Sequence, residues 1–514
     1  MWIVSEDEVL DYLRLAMEKS FSRYQEILAE IADIYSAVSM LQWDREVNAP
    51  PKSAEIRARQ VATLVSMGHD RFTSEEMGDV LENLAAQGDL DEKQKLNVQE
   101  SLDDYNKKKK YPRDFVGRMS HARSAAFNTW HKAKTENDFS QFQDALNTLV
   151  ELKKEEAELL GYEHHPYDAL MNEYEKGAKT SEITALFDGV RSKLVDYVKA
   201  IGEASQVSDS FIHQHFDKDA QWEMSLGLLR RVGYDFDAGR QDISAHPFTI
   251  SFGPTDVRVT TRINENNVTE IITGSIHEAG HALYEQGLPV ADYGLPSGEA
   301  VSLGIHESQS RLWENHVGRS LQFWSGAYPE VQKHFPDQLG GVAVEDFYKA
   351  INRVEPSLIR TESDELTYHF HIMIRFELEV GLITGDIKVS DLPEAWNAKY
   401  KEYLGVDVPN AGQGVLQDVH WSHGSIGYFP TYSLGSFYAA QFFRQACIDI
   451  PNLESELIPK GEMQPLLDWL RSNIHQHGRL YPSDELCRRV TGEPLNFEHF
   501  WNYAQAKYSA IYGL

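Results

Sequence analysis

Cysteine is nearly absent from this chain: Cys447 and Cys487 are the only two in 514 residues. Two thiols make no disulfide framework and cannot be the main ligands of a metal. They fit a reducing compartment, so a cytoplasmic location is expected. Long apolar runs are lacking too. No stretch reaches the roughly eighteen apolar residues that a membrane helix needs. The start, Met1 to Glu8, has neither the basic region nor the apolar core of a secretion leader, so none is expected. Positive charge is scarce, with 49 Lys and Arg against 79 Asp and Glu and a formal net charge of −30. That balance argues against nucleic acid and anionic membranes as partners, and weakly favours basic over acidic peptides. There is no fixed-period repeat, low-complexity tract or obvious linker. Length alone would allow about two to four domains, but this continuity predicts one domain over 1–514. Its first part, 1–240, reads as helical, and the texture changes over 241–514.

Helical spacing fills the first part. Val9, Leu10, Leu13, Leu15, Met17 and Phe21 begin it, and Ile27, Leu28, Ile31, Ile34 and Tyr35 continue in steps of three and four. Asn48-Ala-Pro-Pro51 breaks the pattern, which resumes over 54–68, 118–131, 139–161 and 180–204. The basic run Lys107–Lys110 reads as a solvated helix end rather than a binding patch. After residue 245 the period changes. Val257, Val259, Thr261 and Ile263 alternate with Asp256, Arg258, Thr260 and Arg262, which is a strand with one buried face.

The strand leads into the stretch that carries chemistry. Val268, Ile271, Ile272, Ile276, Ala279 and Leu283 form one apolar helical stripe. Asn267 suits its N-cap, Glu270 the capping box, and Gly287 the stop. On this helix His277-Glu278-Ala279-Gly280-His281 places two imidazoles one turn apart. Two neutral histidines so spaced can share one zinc ion, with Glu278 beside the open coordination position as base. The metal lowers the pKa of a water there, and Glu278 takes its proton. The competing interpretation is an amphipathic helix with solvated histidines. The long capped helix, the strand before it and the carboxylates after it favour the metal. A third ligand is needed. Glu285, Asp292, Glu299, Glu307 and Glu314 are candidates; Glu307, in a second helix expected over 301–323, is preferred, with His306 as its competitor.

Further on, Arg360 in Ile359-Arg-Thr-Glu-Ser-Asp364 could grip a carboxylate with its fork, or simply form a surface ion pair. The segments Gly414–Trp421 and Gly427–Tyr432 concentrate glycine, histidine and tyrosine. Such a loop can line a site and place a hydroxyl or imidazole over a metal to stabilise an oxyanion, or can merely pack its aromatics.

Together these motifs resemble the Taq-type (M32) thermostable metallocarboxypeptidases. The marks are His246-Pro-Phe248, Asp256-Val-Arg-Val-Thr260, His277–His281, His306-Glu-Ser-Gln309, Ile359–Asp364 and Gly414-Val-Leu-Gln-Asp-Val-His-Trp421, with Trp43-Asp44 earlier. They run in order from about residue 40 to the end. Ser363 stands where the family usually has Ala, and Ala49 where it usually has Met; neither touches a chemical role. The resemblance implies a mainly α, neurolysin-like helical zinc-peptidase fold, with a deep groove and a small antiparallel sheet beside the metal helix. The helical part over 1–240 would form one groove wall. It also implies a homodimer, one zinc or cobalt ion per chain, and release of single C-terminal residues from peptides with broad specificity. Carried over by motif, His277, His281 and Glu307 hold the metal and Glu278 is the general base. Arg360, or failing it Arg258, receives the terminal carboxylate. His420 or His423, and Tyr428 or Tyr432, support the transition state. An internally cutting or dipeptide-releasing zinc peptidase would share the metal triad. An inactive metal-bound interaction protein is disfavoured by Glu278, because a structural site needs no base.

Overall fold

The apolar steps of three and four become helices in a computed structural model that describes residues 6–87 and 89–514, with side chains from residue 18 onward. The chain start, on which the expectation about a secretion leader rests, lies outside the described residues. So do the side chains of Val9, Leu10, Leu13, Leu15 and Met17. Long helices over Glu6–Val47, Ala54–Phe72, Arg113–Glu136, Ser140–Leu160 and Thr180–Glu203 follow the expected segments. Among the described residues no helix is long and apolar enough to cross a membrane.

The apolar residues gather into two cores. Tyr24, Ile27, Leu28, Ile31, Phe72, Met77, Leu81 and Val98 form a small one among the helices Glu6–Val47, Ala54–Phe72, Glu75–Ala85 and Glu92–Lys109, joined by Leu295 from the metal-site part. The buried apolar residues from Phe115 to Tyr512, apart from Leu295 and Leu480, share one much larger core. The expected division near residue 240 therefore does not separate cores; the change falls near residue 110. Helices after that point bury their stripes against the metal-site part, whereas the first hundred residues pack mostly on themselves.

The sheet has three strands, β1 (Gln241–Ile243), β2 (Thr249–Ser251) and β3 (Val257–Thr261), in the order β1-β3-β2. β2 and β3 are antiparallel, but β1 runs parallel to β3, so the sheet is mixed rather than purely antiparallel. Three-residue strands are too short for alternation to announce. Thr260 is also buried, because its hydroxyl meets Ser244 Oγ and the Phe248 backbone N–H. β3 packs on the metal helix, Val268–Glu285, with Thr261 Oγ1 3.0 Å from Ser275 Oγ.

Candidate metal centre and groove

The metal helix begins as expected, with Asn267 capping it, but through the Thr269 N–H. No capping box forms, because Glu270 turns instead to Arg262 and Asn264. Gly287 follows the helix for a steric reason: a Cβ there would lie 2.1 Å from the His475 ring. Gly280, inside the motif, has a similar function. A Cβ on it would lie 2.6 Å from Cα of Ser310, so glycine lets the next helix, Leu303–Arg311, approach backbone to backbone. That approach brings Glu307 to the two histidines.

The second helix does not run unbroken over 301–323. After Arg311 it continues as a π-helical segment, Leu312–Gly318, and a new helix starts at Leu321. π-Segments are frequent at functional sites, and this one carries Glu314.

His277, His281 and Glu307 each offer one ligand atom, all within 4.8 Å of one another. Glu307 Oε2 lies 3.7 Å from His277 Nε2 and 3.4 Å from His281 Nε2. The far side of each ring is committed. His277 Nδ1 is 2.9 Å from Glu314 Oε2, an acceptor, so it carries the proton and leaves the Nε2 lone pair free. His281 Nδ1 meets His306 Nδ1, and His306 Nε2 is 2.9 Å from Glu285 Oε1. With neutral rings the order is fixed. His306 donates to Glu285 and accepts from His281, which again frees Nε2. Carboxylate-backed imidazoles of this kind orient metal ligands and raise their basicity. The donor set thus fits a divalent metal, and His306 stands behind His281 rather than within the group of three.

Charge is balanced around the carboxylates. Arg311 Nε is 2.7 Å from Glu307 Oε1 and its Nη1 is 3.1 Å from Glu314 Oε2, while Arg319 holds Glu314 Oε1. Burial pushes the Glu307 carboxyl up, yet Arg311 and the histidines outweigh it and keep it well below the usual range. Burial drives His281 down to about 4. Burial also lowers His277, but Glu307 and Glu314 prevail and raise it.

Glu278 is buried beside His277 and lies outside the group of three that could hold a metal. The Thr249 hydroxyl on β2 lies 2.7 Å from its Oε2. Burial raises the Glu278 carboxyl, which moves a base toward neutral operating pH.

Across from the metal helix, His420 and His423 occupy one short 3-10 turn, and Tyr432 lies in the first turn of the helix Pro430–Asp449. That helix packs along the Glu307 helix. His420 Nε2 is 3.1 Å from Tyr432 Oη, and the Tyr428 and Tyr432 rings are 5.2 Å apart. His423 is exposed and stacks on Phe127 instead. Burial pulls His420 down to about 3, so it is a neutral imidazole.

Arg360 is no surface ion pair. It is buried, with Nε and Nη2 on Asp418 Oδ1 at 3.0 and 2.8 Å and Nη1 3.1 Å from Tyr368 Oη. Arg375 takes Asp418 Oδ2 at 2.6 Å. Two guanidiniums share one carboxylate, so one positive charge stays uncancelled beneath Tyr432, whose ring lies 4.9 Å from Arg360. Tyr368 bridges this cluster to the metal ligands, since Arg311 stacks on its ring at 4.5 Å. Arg258, the reserve carboxylate receptor, is corrected by strand geometry. Thr249 pairs with Val259, so Arg258 points to the opposite face, away from the base. There it forks Asp256 and stacks on Trp43 at 4.6 Å.

Two cavities of ≈ 570 and ≈ 440 Å³ adjoin the centre, one lined by His306 and Tyr174, the other by Glu285 and Ser251. Lys108 and Arg479 line both. Lys108, expected in a solvated run, sits 4.2 Å over the Phe72 ring where it lines these cavities. Sequence spacing also gave no sign of Thr249, Arg311, Arg375 or Asp418. Each acts through a partner more than one element away, except Arg311, which the i,i+4 step from Glu307 could have indicated.

The sequence profile described as Carboxypeptidase Taq (M32) metallopeptidase matches residues 23–508. Thermostable carboxypeptidase 1 of Thermus thermophilus is 42% identical over 511 residues, covering 96% of this chain and 99% of that protein. Carboxypeptidase 1 of Bacillus subtilis is 38% identical over 493 residues, covering 95% and 97%. The crystal structure of M32 carboxypeptidase from Deinococcus radiodurans R1 superposes with a TM-score of 0.94 at 37% identity, covering 96% of this chain and 100% of that one.

Proposed function

The chain belongs to the Carboxypeptidase Taq (M32) metallopeptidase family and is a metallocarboxypeptidase, and from that premise we propose that it is a zinc enzyme releasing single residues from peptide C-termini with broad specificity, Glu278 acting as general base. Two imidazole nitrogens and one carboxylate oxygen, with a side left open to the groove, suit zinc and also accept cobalt. When bound at His277, His281 and Glu307, the metal supplies Lewis-acid polarisation of the scissile carbonyl and activation of water.

The remaining steps fall to the chain itself. The register of β2 against β3 turns the backbone groups of Thr249 and Ser251 away from β3, so an extended peptide can pair along that edge. Thr249 holds Glu278 at the same edge, where it accepts the proton of the attacking water and passes it to the leaving amine. His420 and Tyr432 face the developing oxyanion from the other wall. The leaving residue's carboxylate is received at Arg360, supported by Tyr368.

The observation that carries the single-residue reading is the net positive Arg360–Asp418–Arg375 cluster, buried and linked to Glu307 through Tyr368 and Arg311. Buried charge is costly unless it is used or fully paired. The test is mass spectrometry of a free-acid peptide and its C-terminal amide after incubation with the metal-loaded protein. A one-residue ladder from the acid and little cutting of the amide are expected. Dipeptide steps, internal cuts, or equal cutting of the amide would replace this reading.

A further inference from the structure

Glu379 sits in the middle of the helix Tyr368–Thr384 and is wholly buried. Among the described residues none forms an ion pair with it. Lys153, on the helix Ser140–Leu160, attracts it from a distance but is itself paired with Glu156. What surrounds Glu379 is donors. Trp421 Nε1 donates to Oε1 at 2.8 Å; the Gly427 backbone N–H and Tyr167 Oη donate to Oε2 at 2.9 and 2.7 Å.

The three donors come from separate parts of the chain, and two of them adjoin residues of the site. Trp421 follows His420, and Gly427 precedes Tyr428. Gly427 has φ +100°, and a Cβ there would lie 2.8 Å from the Leu170 carbonyl carbon, so the loop is pressed against the short helix Pro166–Met171 that carries Tyr167. The Tyr428 ring continues this contact, 5.2 Å from Tyr174.

We propose that Glu379 is a positioning residue of the active site: by holding Trp421 and Gly427 on its two oxygens it fixes His420 and Tyr428 over the groove. This rests on the reading given under Proposed function. An indole N–H and a backbone N–H can only donate, and they lie on different oxygens. A carboxylate accepts from both. The amide of glutamine offers one oxygen and would turn an NH2 group against the other donor, although its shape is nearly the same. Burying an ionised carboxyl without a cation is expensive, and packing alone would be served by a neutral residue.

The device is sensitive to pH. Burial pushes the carboxyl up to about 7, against the hydrogen bonds from Gly427, Tyr167 and Trp421 and the attraction of Lys153. The other titratable groups around it, Tyr167 and Tyr174, are raised by burial and remain neutral there. Above about 7 the carboxylate accepts from both loop donors at full strength; below, the added proton, which Tyr167 Oη can accept, removes the charge and weakens that hold. The acid side of the kcat profile thus contains the release of this grip.

The experiment compares metal-loaded wild type, Glu379→Gln and Tyr167→Phe, measuring metal per chain, kcat and KM on a free-acid peptide across the acid limb. Glu379→Gln is expected to lower kcat on the order of 10²-fold, the cost of a small misplacement of catalytic groups. KM and metal content should stay near wild type. Tyr167→Phe removes one donor from the ionised carboxylate and should move the acid limb of kcat to higher pH. Loss of packing alone would shift neither the limb nor kcat without KM. A folded Glu379→Gln enzyme with wild-type kcat overturns the proposal. Should that variant not fold, a Tyr167→Phe limb that coincides with wild type overturns it instead. The wild-type product ladder judges the carboxypeptidase reading separately, because the proposal is scored on variant-to-wild-type ratios for whichever bond is cut.

Discussion

Around the metal helix, each imidazole nitrogen that faces away from the ligand atoms has a partner behind it: Glu314 behind His277, and His306 with Glu285 behind His281. Those partners come from the same helix or the next one. On the other wall, His420 Nδ1 is buried with no hydrogen-bond partner, and Asp418 Oδ1 stands 3.9 Å from it. That wall is a loop, held by Glu379 and Arg375 from the helix Tyr368–Thr384 and by Arg360 from the turn Arg360–Glu362. The metal half is backed from its own helix and the next, the loop half by contacts distant in sequence. On the proposed roles, the half that would hold an ion has its donors oriented by near neighbours, while the half that would meet the transition state depends on how distant segments pack.

Mutations can break this comparison in order of expected effect. Glu307→Ala removes a ligand from the locked half, leaving two where a catalytic zinc site needs three. Near-complete loss of bound metal after dialysis against a weak chelator is expected, with activity lost in step. Unchanged zinc content would mean that Glu307 is not a ligand. Glu278→Gln leaves the ligands in place and removes the base, so activity should fall on the order of 10²–10⁴-fold with full metal content. An empty site in metal analysis would show that the two roles are not separate.

In the loop half, Arg360→Ala should lower kcat/KM for free-acid peptides by about 30- to 5,000-fold, since a buried carboxylate left without its partner costs roughly 2–5 kcal/mol. Metal content should not change. If acids and amides were then cut as the wild type cuts them, the carboxylate is received elsewhere. Glu314→Gln sharpens the contrast from behind the ligand. It keeps an acceptor for His277 Nδ1 but loses the charge, and metal affinity should drop by about 10–100-fold in a chelator competition. An equal drop from a change in the loop would erase the distinction between the halves. The smallest effect belongs to the cysteines. Both are free, Cys487 buried and Cys447 partly so, and burial pushes the Cys487 thiol up to about 12. Such thiols act as small apolar groups, so Cys447→Ser with Cys487→Ser should retain activity within about a few-fold. Complete loss in the folded double variant would reveal a role for a thiol.

The sequence was most legible where neighbours along the helix are neighbours in space. His277 and His281 share a face because four residues make about one turn, and Glu278 lies beside them for the same reason. The capping by Asn267 could be read, but the capping box could not, since Glu270 found a cation on another segment. Arg258 misled because alternation shows which strand residues share a face but not what lies opposite that face. Lys108 misled because a charge run is usually solvated, and here Phe72 and a cavity wall lie under it.

The sequence by itself determined most of the helices and the spacing of His277, Glu278 and His281, because those depend on local backbone geometry and on side chains a turn apart. It also determined the family, through motifs kept in order along the chain. Only the tertiary structure decided how close Glu307 comes to the two histidines and which tautomers they hold. It alone set Arg360 and Arg375 on one aspartate, and gave the loop of His420 and Tyr428 a buried carboxylate to hang from. Those outcomes depend on the close approach of helices distant in sequence, as at Gly280 and Gly427, where the space between two backbones leaves no room for a side chain.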